Sequence, residues 1–546
     1  MPRIDKPDVI VVGSGAGGGT AARVLTGRGK SVVVFEKGPQ RRADDFLPYD
    51  ELHYQEHKAL RPSVQTDPLI YMDPTKGHRA TPSEKWWIGN MVGGSTMIWE
   101  ANLPRYTAED FSVLTVMRDS PPGTSTVNWP WSYEEFVPHF ERAEWEWGVS
   151  GKMNQWPAPH QEPSRPGYDY PMPPIRQHAS TVFLMQAFQK VGMHPYLSPR
   201  GINSRTYNGR PGCPFCGYCQ GYGCAVNDRA SSTNTVLARA LTSGRCDLRP
   251  GHCVTRILWK KNGRVRGVEY KAEPNGKPQV MEADTVVVSI QAIESARLFL
   301  VSEIPNPNHM IGRYLTYHTK GSAELCFKNQ PVWDEGPDRI FQPRTSLGSL
   351  QLRDLYVIND PSTYLTKGGK FSIYDPFTIY PVIRLLWGLR LWGKPLQDRM
   401  QELRSRGGVS FSFTGETMST WDNRVELDAR TDPWGVPLPR VYYEHHEYDM
   451  ALSRYALQRV VDVMVAAGGE LRRFEPQGRA NAGYGHNHGT LRAGTDAGSS
   501  VLDTQCQSWD VKGLYVLDAA WMPTAGASNP GLTTIANAYR VAESIP

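Results

Sequence analysis

The pattern of apolar and small residues at the start of the chain predicts a strand, a turn, a helix and a second strand in close succession. The run Asp8–Val12 is apolar after its first residue and has the length of a strand buried on both faces. The glycine-rich stretch GSGAGG follows it directly, and a helix is predicted over Thr20–Gly27. A second strand is predicted over Ser31–Phe35, and it ends in Glu36. This order is typical of the first unit of a nucleotide-binding sheet.

The glycines of this turn have the spacing that an adenine dinucleotide requires. Gly13 permits the turn, Gly15 lets the backbone approach a pyrophosphate, and Gly18 lets the helix pack closely on the strand. The pyrophosphate would lie on the free N–H groups of the first helical turn, where the helix dipole is positive. Glu36 would accept the ribose hydroxyls. A flexible turn is the alternative for the glycines alone, and the fingerprint does not distinguish FAD from NAD.

Further along the chain, helical and strand-like periods alternate. Ser132 and Glu135 form a capping-box signature for a helix that runs to about Trp147. Two alternating runs flank Asn262-Gly263 and predict a two-residue hairpin. The other predicted elements are loops and short helices over Arg41–Arg79, a helix over Ser231–Leu241, a strand over Thr285–Ser289, a helix over Ile293–Val301, strand-like structure over 312–420, a helix with Leu452 and Ala467 on one face, a strand over Gly513–Leu517 and a last helix over Leu532–Val541.

Composition and charge exclude several classes of protein. With 546 residues, of which 40% are hydrophobic, the chain can bury one large core or two. The 60 basic and 55 acidic residues are mixed along the chain, which argues against a nucleic-acid partner. No basic and apolar leader begins the chain, and no window reaches roughly 18 uninterrupted apolar residues. We therefore expect neither a signal peptide of its own nor a transmembrane segment.

The C-terminal block favours a flavin over a nicotinamide. A strand ending in Asp518, and a helix opened by Asn529-Pro530-Gly531, would offer N–H groups backed by a helix dipole to the electron-rich edge of a reduced flavin. His486 and Asn529 would lie on neighbouring loops over that ring. A base and an amide in those places suit a bound alcohol.

These motifs resemble the glucose–methanol–choline (GMC) family of flavoprotein oxidoreductases over nearly the whole chain. The resemblance is carried by GSGAGG at Gly13, GNMVGGSTMIWEANLPR at Gly89, TDPWGVPLPRV at Thr431, HNHGTLRAG at His486 and SNPGLTT at Ser528. Within the family, the chain is most similar to the catalytic FAD subunits of gluconate 2-dehydrogenase and glucoside 3-dehydrogenase. The stretches SYEEFVPHFERAEWEWGVSGK, YPMPPI and CPFCGYCQGYGC carry that closer match.

The resemblance implies roles for individual residues. His486 would take the hydroxyl proton while the hydride passes to flavin N5, and Asn529 would orient the oxygen. His488 is a weaker candidate that either lines the site or packs. Because the loop reads Met97-Ile98-Trp99 where some relatives carry a flavin-linked His, we expect non-covalent FAD. The implied cofactor contacts are Gly13, Gly15, Gly18, Glu36, Lys37, Gly94, Ser95, Val254, Asp518, Ala519, Pro530 and Thr533.

Four of the eight cysteines crowd into one short stretch. Cys213, Cys216, Cys219 and Cys224 form the pattern C-x2-C-x2-C-x4-C. Three thiolates so close together favour an iron–sulfur cluster, 4Fe–4S with 3Fe–4S as a variant, while a zinc site and local disulfides stay open. A cluster would pass flavin electrons singly to an outside acceptor and thus favours a dehydrogenase. The resemblance adds a small accessory subunit and a cytochrome c-type acceptor, and hence a cytoplasmic location or a periplasmic one reached by co-export with that subunit.

The expected fold class is α/β, with a discontinuous Rossmann-like FAD-binding domain and an α+β substrate domain whose sheet is mainly antiparallel. We predict FAD-binding segments at 1–110, 227–311 and 481–546, the last one also catalytic, and a lid or linker on the substrate side at 111–211. The Cys-rich iron–sulfur loop is 212–226, and the substrate domain is 312–480. The apolar segment 377–396 is predicted to be either an amphipathic element of that domain or a docking surface for a partner or membrane.

The predicted function is FAD-dependent oxidation of a secondary alcohol on a sugar, glycoside or sugar acid, such as glucoside C3 or gluconate C2. One alternative is an oxygen-using oxidase in which the Cys loop is a zinc or thiol staple. The other is a non-catalytic flavin chain that serves electron transfer. Bound iron and sulfide would distinguish the predicted dehydrogenase from the oxidase. Bleaching of the flavin by substrate would distinguish it from the non-catalytic chain.

Overall fold

The computed structural model of the chain describes residues 3–46, 60, 62–65, 67–84, 88–155, 162–177, 179–216, 219, 221–328, 350–374, 391–398, 406–476 and 485–546. Most of the predicted apolar segment 377–396 lies outside these residues, so its two interpretations stay predictions. Within the described part, no helix is both long enough and apolar enough to cross a membrane.

Strands and helices of the described residues are numbered in chain order. The strands are β1 Val9–Val12, β2 Val32–Glu36, β3 Leu69–Asp73, β4 Arg79–Ser83, β5 Tyr196–Leu197, β6 Cys246–Pro250, β7 Cys253–Lys260, β8 Arg264–Lys271, β9 Gln279–Glu282, β10 Thr285–Val288, β11 Thr319–Lys328, β12 Leu350–Leu352, β13 Gly369–Tyr374, β14 Arg406–Gly415, β15 Arg424–Thr431, β16 Pro437–Tyr442, β17 Glu470–Glu475 and β18 Leu514–Val516. The helices are α1 Ala16–Gly27, α2 Ala108–Phe111, α3 Val113–Met117, α4 Tyr133–Trp147, α5 Ala179–Lys190, α6 Val236–Thr242, α7 Ala292–Val301, α8 Glu447–Ala466 and α9 Gly531–Ser544.

A five-stranded parallel sheet has the order β18-β10-β1-β2-β6. Every residue of β1 is buried, as expected for a parallel strand covered on both faces, and α1 packs against α6 and α9. The five strands come from the beginning, the middle and the end of the chain. The prediction of a discontinuous nucleotide-binding sheet is confirmed.

The second large sheet has six strands in the order β17-β11-β14-β13-β12-β5, and all its pairs are antiparallel. Helix α8 covers one face, where Leu452 and Val460 share a core with Phe411 and Phe413. This is the mainly antiparallel substrate sheet that the sequence predicts. Two smaller sheets, β15-β16-β3-β4 and β7-β8-β9, complete the fold.

Several local predictions can be compared with the structure. The capping box of α4 is confirmed, because Glu135 N donates to Ser132 Oγ at 3.3 Å and Ser132 N donates to Glu135 Oε2 at 2.7 Å. The hairpin turn is one residue longer than predicted, since β7 ends at Lys260 and β8 begins at Arg264. Helix α6 begins later than predicted, after a 3-10 turn at Ser232–Asn234.

The prediction that Arg41–Arg79 contains only loops and short helices was wrong. Strand β3 lies in this region, buried at Leu69, Ile70 and Tyr71, and β4 begins at its end. β3 pairs in parallel with β16, which is more than three hundred residues away in the chain. Because the partner strand is so distant in the sequence, the local pattern of residues did not indicate that β3 is buried.

Candidate active site

A cavity of about 1110 Å³ lies between the two large sheets. One wall is formed where β1, β2, β10 and β18 end, with Gly13, Glu36, Ser289 and Asp518 among its residues. In open parallel sheets, ligands bind at this carboxyl edge of the strands. Strands β11, β13 and β14 supply the opposite wall.

All but two of the predicted contacts line this cavity. Gly18 and Thr533 do not line it. Gly18 packs instead, because a Cβ there would lie 2.0 Å from the Gly13 carbonyl oxygen. The lining residues among those predicted are Gly13, Gly15, Glu36, Lys37, Gly94, Ser95, Val254, His486, Asp518, Ala519, Asn529 and Pro530.

The glycine loop leaves space only on its cavity side. Gly13 has a φ of +94°, the left-handed region that glycine tolerates, and a Cβ at Gly17 would lie 2.0 Å from the Leu517 oxygen. A Cβ at Gly15 would meet no atom closer than Gly93 O at 4.0 Å. Helix α1 begins directly after Gly15, so its unpaired N–H groups lie at the cavity wall. The open cradle at Gly15 and these donors fit the pyrophosphate of FAD.

Glu36 is braced by the glycine loop itself. Its carboxylate accepts hydrogen bonds from Ser14 N at 3.1 Å, Ser14 Oγ at 2.6 Å and Gly38 N at 2.9 Å. Burial raises the pKa of Glu36. Ser14 Oγ also accepts from Gly93 N at 2.8 Å and so joins the glycine loop to the loop 88–102. The predicted ribose acceptor thus also holds two loops of the site together.

Asp518 has a similar bracing role at the end of β18. Its carboxylate accepts hydrogen bonds from Ile290 N at 2.9 Å, Ser295 Oγ at 2.5 Å and Ala520 N at 2.9 Å. These donors lie after β10, in α7 and in the turn after β18. Asp518 therefore fixes adjacent loops of the cavity wall.

His486 lines the cavity and is partly exposed to it. Burial, and then the nearby Lys320, lower the pKa of His486 well below its ordinary value. Two residues later, His488 N donates to Thr316 O at 3.0 Å and Thr316 N donates back to His488 O at 3.1 Å. This pair of backbone bonds fixes the segment that carries His486. His488 is fully buried and does not line the cavity, so it packs.

Asn529 is held from behind by two donors. Its Oδ1 accepts hydrogen bonds from Lys370 Nζ at 2.5 Å and from Asn102 Nδ2 at 2.9 Å. Asn102 Oδ1 in turn accepts from Ser198 Oγ. Lys370 is fully buried, and burial together with Arg353 lowers its pKa well below the usual range. The two donors fix the oxygen of the Asn529 amide and leave its NH2 group available to a ligand.

The opposite wall is a polar face of the six-stranded sheet. Lys320 and Ser322 on β11 pair with Thr414 and Ser412 on β14, and Ser372 on β13 also pairs with Ser412. All five side chains line the cavity. Lys320 Nζ donates to Thr414 Oγ1 at 2.7 Å, and burial lowers the pKa of Lys320 to about 8. This wall offers hydroxyls and one amine to a ligand.

Sequence reasoning missed His318, Lys320, Lys370 and Asn102. His318, Lys320 and Lys370 lie outside the motifs, and strand pairing brings Lys320 and Lys370 to the same region. Asn102 lies within the motif that begins at Gly89, but no role was predicted for it. The alternation of polar residues with Phe371 and Phe413 was a usable signal of a strand with one apolar face. It did not indicate that the polar face lines a cavity.

The predicted iron–sulfur cluster does not fit the Cys loop as it is placed. None of the four cysteines forms a disulfide, and Cys224 Sγ donates to Asp228 Oδ1 at 3.2 Å. Within the described residues, which include all four cysteines, no three His, Cys, Asp or Glu side chains form a group that could hold a metal ion. Burial raises the pKa of Cys219 far above its ordinary value. The structure therefore does not support the cluster.

The Cys loop instead packs against the loop 88–102. Trp99 and Cys213 both pack against the apolar group of Cys219, Ala101, Ile175 and Ile202. Arg229 donates to Met97 O at 2.7 Å and to Tyr222 O at 2.6 Å. These contacts support the loop that lines the cavity.

Comparison with known proteins agrees with this architecture. Two family models, both described as GMC oxidoreductase, match residues 7–320 and 419–538. The chain is 29% identical to a 2-methyl-1,2-propanediol dehydrogenase of Mycolicibacterium austroafricanum, over 99% of this chain and 95% of that protein. It is 25% identical to the large subunit of fructose dehydrogenase of Gluconobacter japonicus, over 98% and 97%. A solved structure of formate oxidase from Aspergillus oryzae superposes with a TM-score of 0.65 at 14% identity, covering 100% of this chain and 99% of that one, and shows the same fold.

Proposed function

Because the chain belongs to the GMC oxidoreductase family, whose members bind FAD, we propose that it is a dehydrogenase that oxidises a secondary alcohol of a sugar, glycoside or sugar acid. The observation that carries the proposal is one cavity that joins a dinucleotide cradle, a neutral histidine, an oriented amide and a wall of hydroxyls. The fructose dehydrogenase relative supports a sugar substrate, and the propanediol dehydrogenase relative supports a substrate with more than one hydroxyl.

The residues that would hold FAD belong to the parallel-sheet wall. Gly15 and the first turn of α1 would face the pyrophosphate, and Glu36 the ribose. Gly94, Ser95 and the start of α9 at Gly531 would lie along the flavin end. The loop 88–102 contains neither histidine nor cysteine, which supports non-covalent binding. FAD, when bound, supplies the acceptor for the hydride that leaves the alcohol carbon.

His486 is the proposed general base. Since its pKa is lowered, the imidazole is neutral near pH 7 and has a free lone pair for the hydroxyl proton. Its backbone anchor at Thr316 keeps the ring near the cavity wall. Removal of the proton from the alcohol oxygen makes the departure of hydride from the adjacent carbon easier.

Asn529 is the proposed partner that orients the alcohol. Because its Oδ1 is held by Lys370 and Asn102, the amide N–H groups are the ones presented to a substrate oxygen. An N–H donor there stabilises the negative charge that develops as His486 takes the proton. Lys370 touches Asn529 rather than the cavity and is therefore a positioning residue.

The polar wall supports a polyhydroxylated substrate over a long-chain alcohol. Ser322, Ser372, Ser412 and Thr414 each carry a hydroxyl that both donates and accepts. Lys320 would attract a carboxylate while it is protonated, below about pH 8, which suits a sugar acid. An apolar chain would leave these groups without partners, at a cost for each buried group.

The electron acceptor and the accessory subunit also belong to the proposal. The fructose dehydrogenase relative is a large subunit, which supports an assembly with a smaller chain. The family resemblance implies a cytochrome c-type acceptor, which the electrons would reach with or without a cluster. It also implies co-export with the small subunit.

Anaerobic visible absorption of the purified protein tests the proposal. We expect the flavin peaks to bleach with one class of sugar, glycoside or sugar acid and to stay unchanged with 1-octanol. Iron and acid-labile sulfide assayed on the same sample decide whether the Cys loop holds a cluster. Absence of bleaching across the panel would contradict the proposal, and stoichiometric hydrogen peroxide in air would make the protein an oxidase.

A further inference from the structure

His318 lines the cavity next to His486 and has no place in the proposed proton transfer. It directly precedes β11, is 2% exposed and lines the cavity. Its ring centroid lies 5.0 Å from that of His486 and 5.2 Å from that of His488. Two histidines of the cavity wall, His318 and His486, therefore lie side by side.

The protonation of the His318 ring follows from its neighbours. Nδ1 lies 3.1 Å from the carbonyl oxygen of Gly526. A carbonyl only accepts, so Nδ1 carries the hydrogen. Burial, and then His486 and Lys320, lower the pKa of His318 well below its ordinary value, so the ring is neutral. Nε2 therefore carries a lone pair and no proton.

Nε2 of His318 is a buried acceptor without a hydrogen-bond partner among the described residues. Lys320, two residues further along the chain, donates to Thr414 Oγ1 at 2.7 Å and not to this nitrogen. A buried acceptor left unpaired is costly, so the partner comes from the contents of the cavity.

One hydroxyl cannot satisfy both histidines. An alcohol group has a single O–H donor, while neutral His318 and neutral His486 each present an acceptor. Two rings whose centroids lie 5.0 Å apart can be reached by two hydroxyls of one small molecule, such as those on neighbouring carbons. We infer that His318 Nε2 accepts a hydrogen bond from the hydroxyl next to the one that His486 deprotonates, so that the enzyme selects vicinal diol units.

This inference deepens the proposed function and rests on it, because it takes His486 as the base. It makes His318 a specificity-determining residue that touches the substrate. His318 would then make the enzyme prefer sugars and other vicinal diols over alcohols with an isolated hydroxyl. A site built to bind a hydroxyl discriminates strongly against an analogue that lacks it, since the protein group is then left unpaired.

The test compares cis-1,2-cyclohexanediol with cyclohexanol as ligands of the FAD-loaded enzyme. Both are ring secondary alcohols, and they differ in the neighbouring hydroxyl alone. Dissociation constants from the perturbation of flavin absorption, and rates of anaerobic bleaching, are measured for each. The wild-type enzyme is expected to prefer the diol by about 10-fold or more.

Two variants at one position form a matched pair. His318→Asn has a side-chain amide that can keep the contact to Gly526 O but does not reach the position of Nε2. His318→Gln carries its carbonyl one carbon further and can restore an acceptor there. We expect His318→Asn to abolish the preference for the diol and His318→Gln to restore part of it, with unchanged FAD content in both.

The outcomes distinguish the inference from the proposed function. Equal affinities for diol and cyclohexanol in the wild type, a preference that survives His318→Asn, or an equal loss for both ligands would overturn the inference. If sugars bleach the flavin in any of these cases, the proposed function stands without it. If no sugar bleaches the flavin but the diol preference depends on His318, the inferred recognition stands and the proposed oxidation fails.

Discussion

The two walls of the cavity are built in opposite ways. The pyrophosphate cradle of the dinucleotide wall lies within residues 8–38, where backbone N–H groups and glycines without side chains create it. The substrate wall is assembled from side chains of β11, β13 and β14, which strand pairing brings together. A contiguous motif therefore defines the cradle, whereas only the register of a sheet defines the substrate wall. Changes at each wall should have different consequences for binding and for turnover.

Loss of the base is expected to have the largest effect. His486→Ala removes the group that accepts the hydroxyl proton, so kcat should fall at least about 100-fold. FAD binding should be unchanged, because the cradle lies on the other wall. Steady-state kinetics and the flavin-to-protein absorbance ratio measure both quantities. An active His486→Ala enzyme would remove His486 from the mechanism.

The glycine loop offers a matched pair of changes on the cofactor side. Gly17→Ala places a Cβ 2.0 Å from the backbone oxygen of Leu517, and we expect it to lower the free energy of unfolding by about 3 kcal/mol. Gly15→Ala has room, with its nearest atom at 4.0 Å, so the fold should persist while FAD affinity falls. Denaturant unfolding and FAD titration separate the two effects. Equal stability of the two variants would contradict this account of the loop.

Buried His488 should make stability depend on pH. Its pKa in the folded protein is about 3 because of burial, whereas the unfolded chain titrates near 6.5. As pH falls below 6.5, the unfolded state binds a proton that the folded state excludes, so stability decreases. This histidine should account for about 2 kcal/mol of the loss between pH 8 and pH 5.

Urea unfolding at pH 8 and pH 5 measures that contribution. In His488→Gln the loss between the two pH values should be smaller than in the wild type by this amount. His309→Asn is the control, since His309 is exposed. An unchanged pH dependence in His488→Gln would show that His488 titrates normally.

Lys370 should have the smallest effect of the four. Lys370→Met removes the donor behind Asn529 but keeps most of the side-chain volume, and kcat should fall about 10-fold through misorientation of the amide. If Lys370 acts only through Asn529, the double variant with Asn529→Ala should be no slower than Asn529→Ala alone. Additive losses would place Lys370 in another role.

Contiguous patterns were predicted well, and features that depend on distant pairing were not. The β1–α1–β2 unit and the cap of α4 follow from residues within one stretch, and the structure has both. Strand β3 was missed because its partner β16 is distant in the chain. The polar residues of β11, β13 and β14 suited a solvent-exposed face equally well, so their place in the cavity wall could not be predicted.

The Cys loop shows a different limit of sequence patterns. Spacing alone favoured four ligands of one cluster, but thiols also pack as small apolar groups. Cys224 donates to Asp228, and Cys219 lies in an apolar group against Trp99. Spacing indicates which thiols lie near one another, whereas their partners and burial decide what they hold.

The hydroxyl of Ser14 has a consequence for engineering this enzyme. It donates to Glu36 and accepts from Gly93 N, so the proposed ribose acceptor is coupled through Ser14 to the loop 88–102. Replacing Glu36 to accommodate a different ribose would release Ser14 and loosen the 88–102 loop at the same time. A change of cofactor preference at Glu36 would therefore also change the shape of the cavity, and the two properties cannot be redesigned separately.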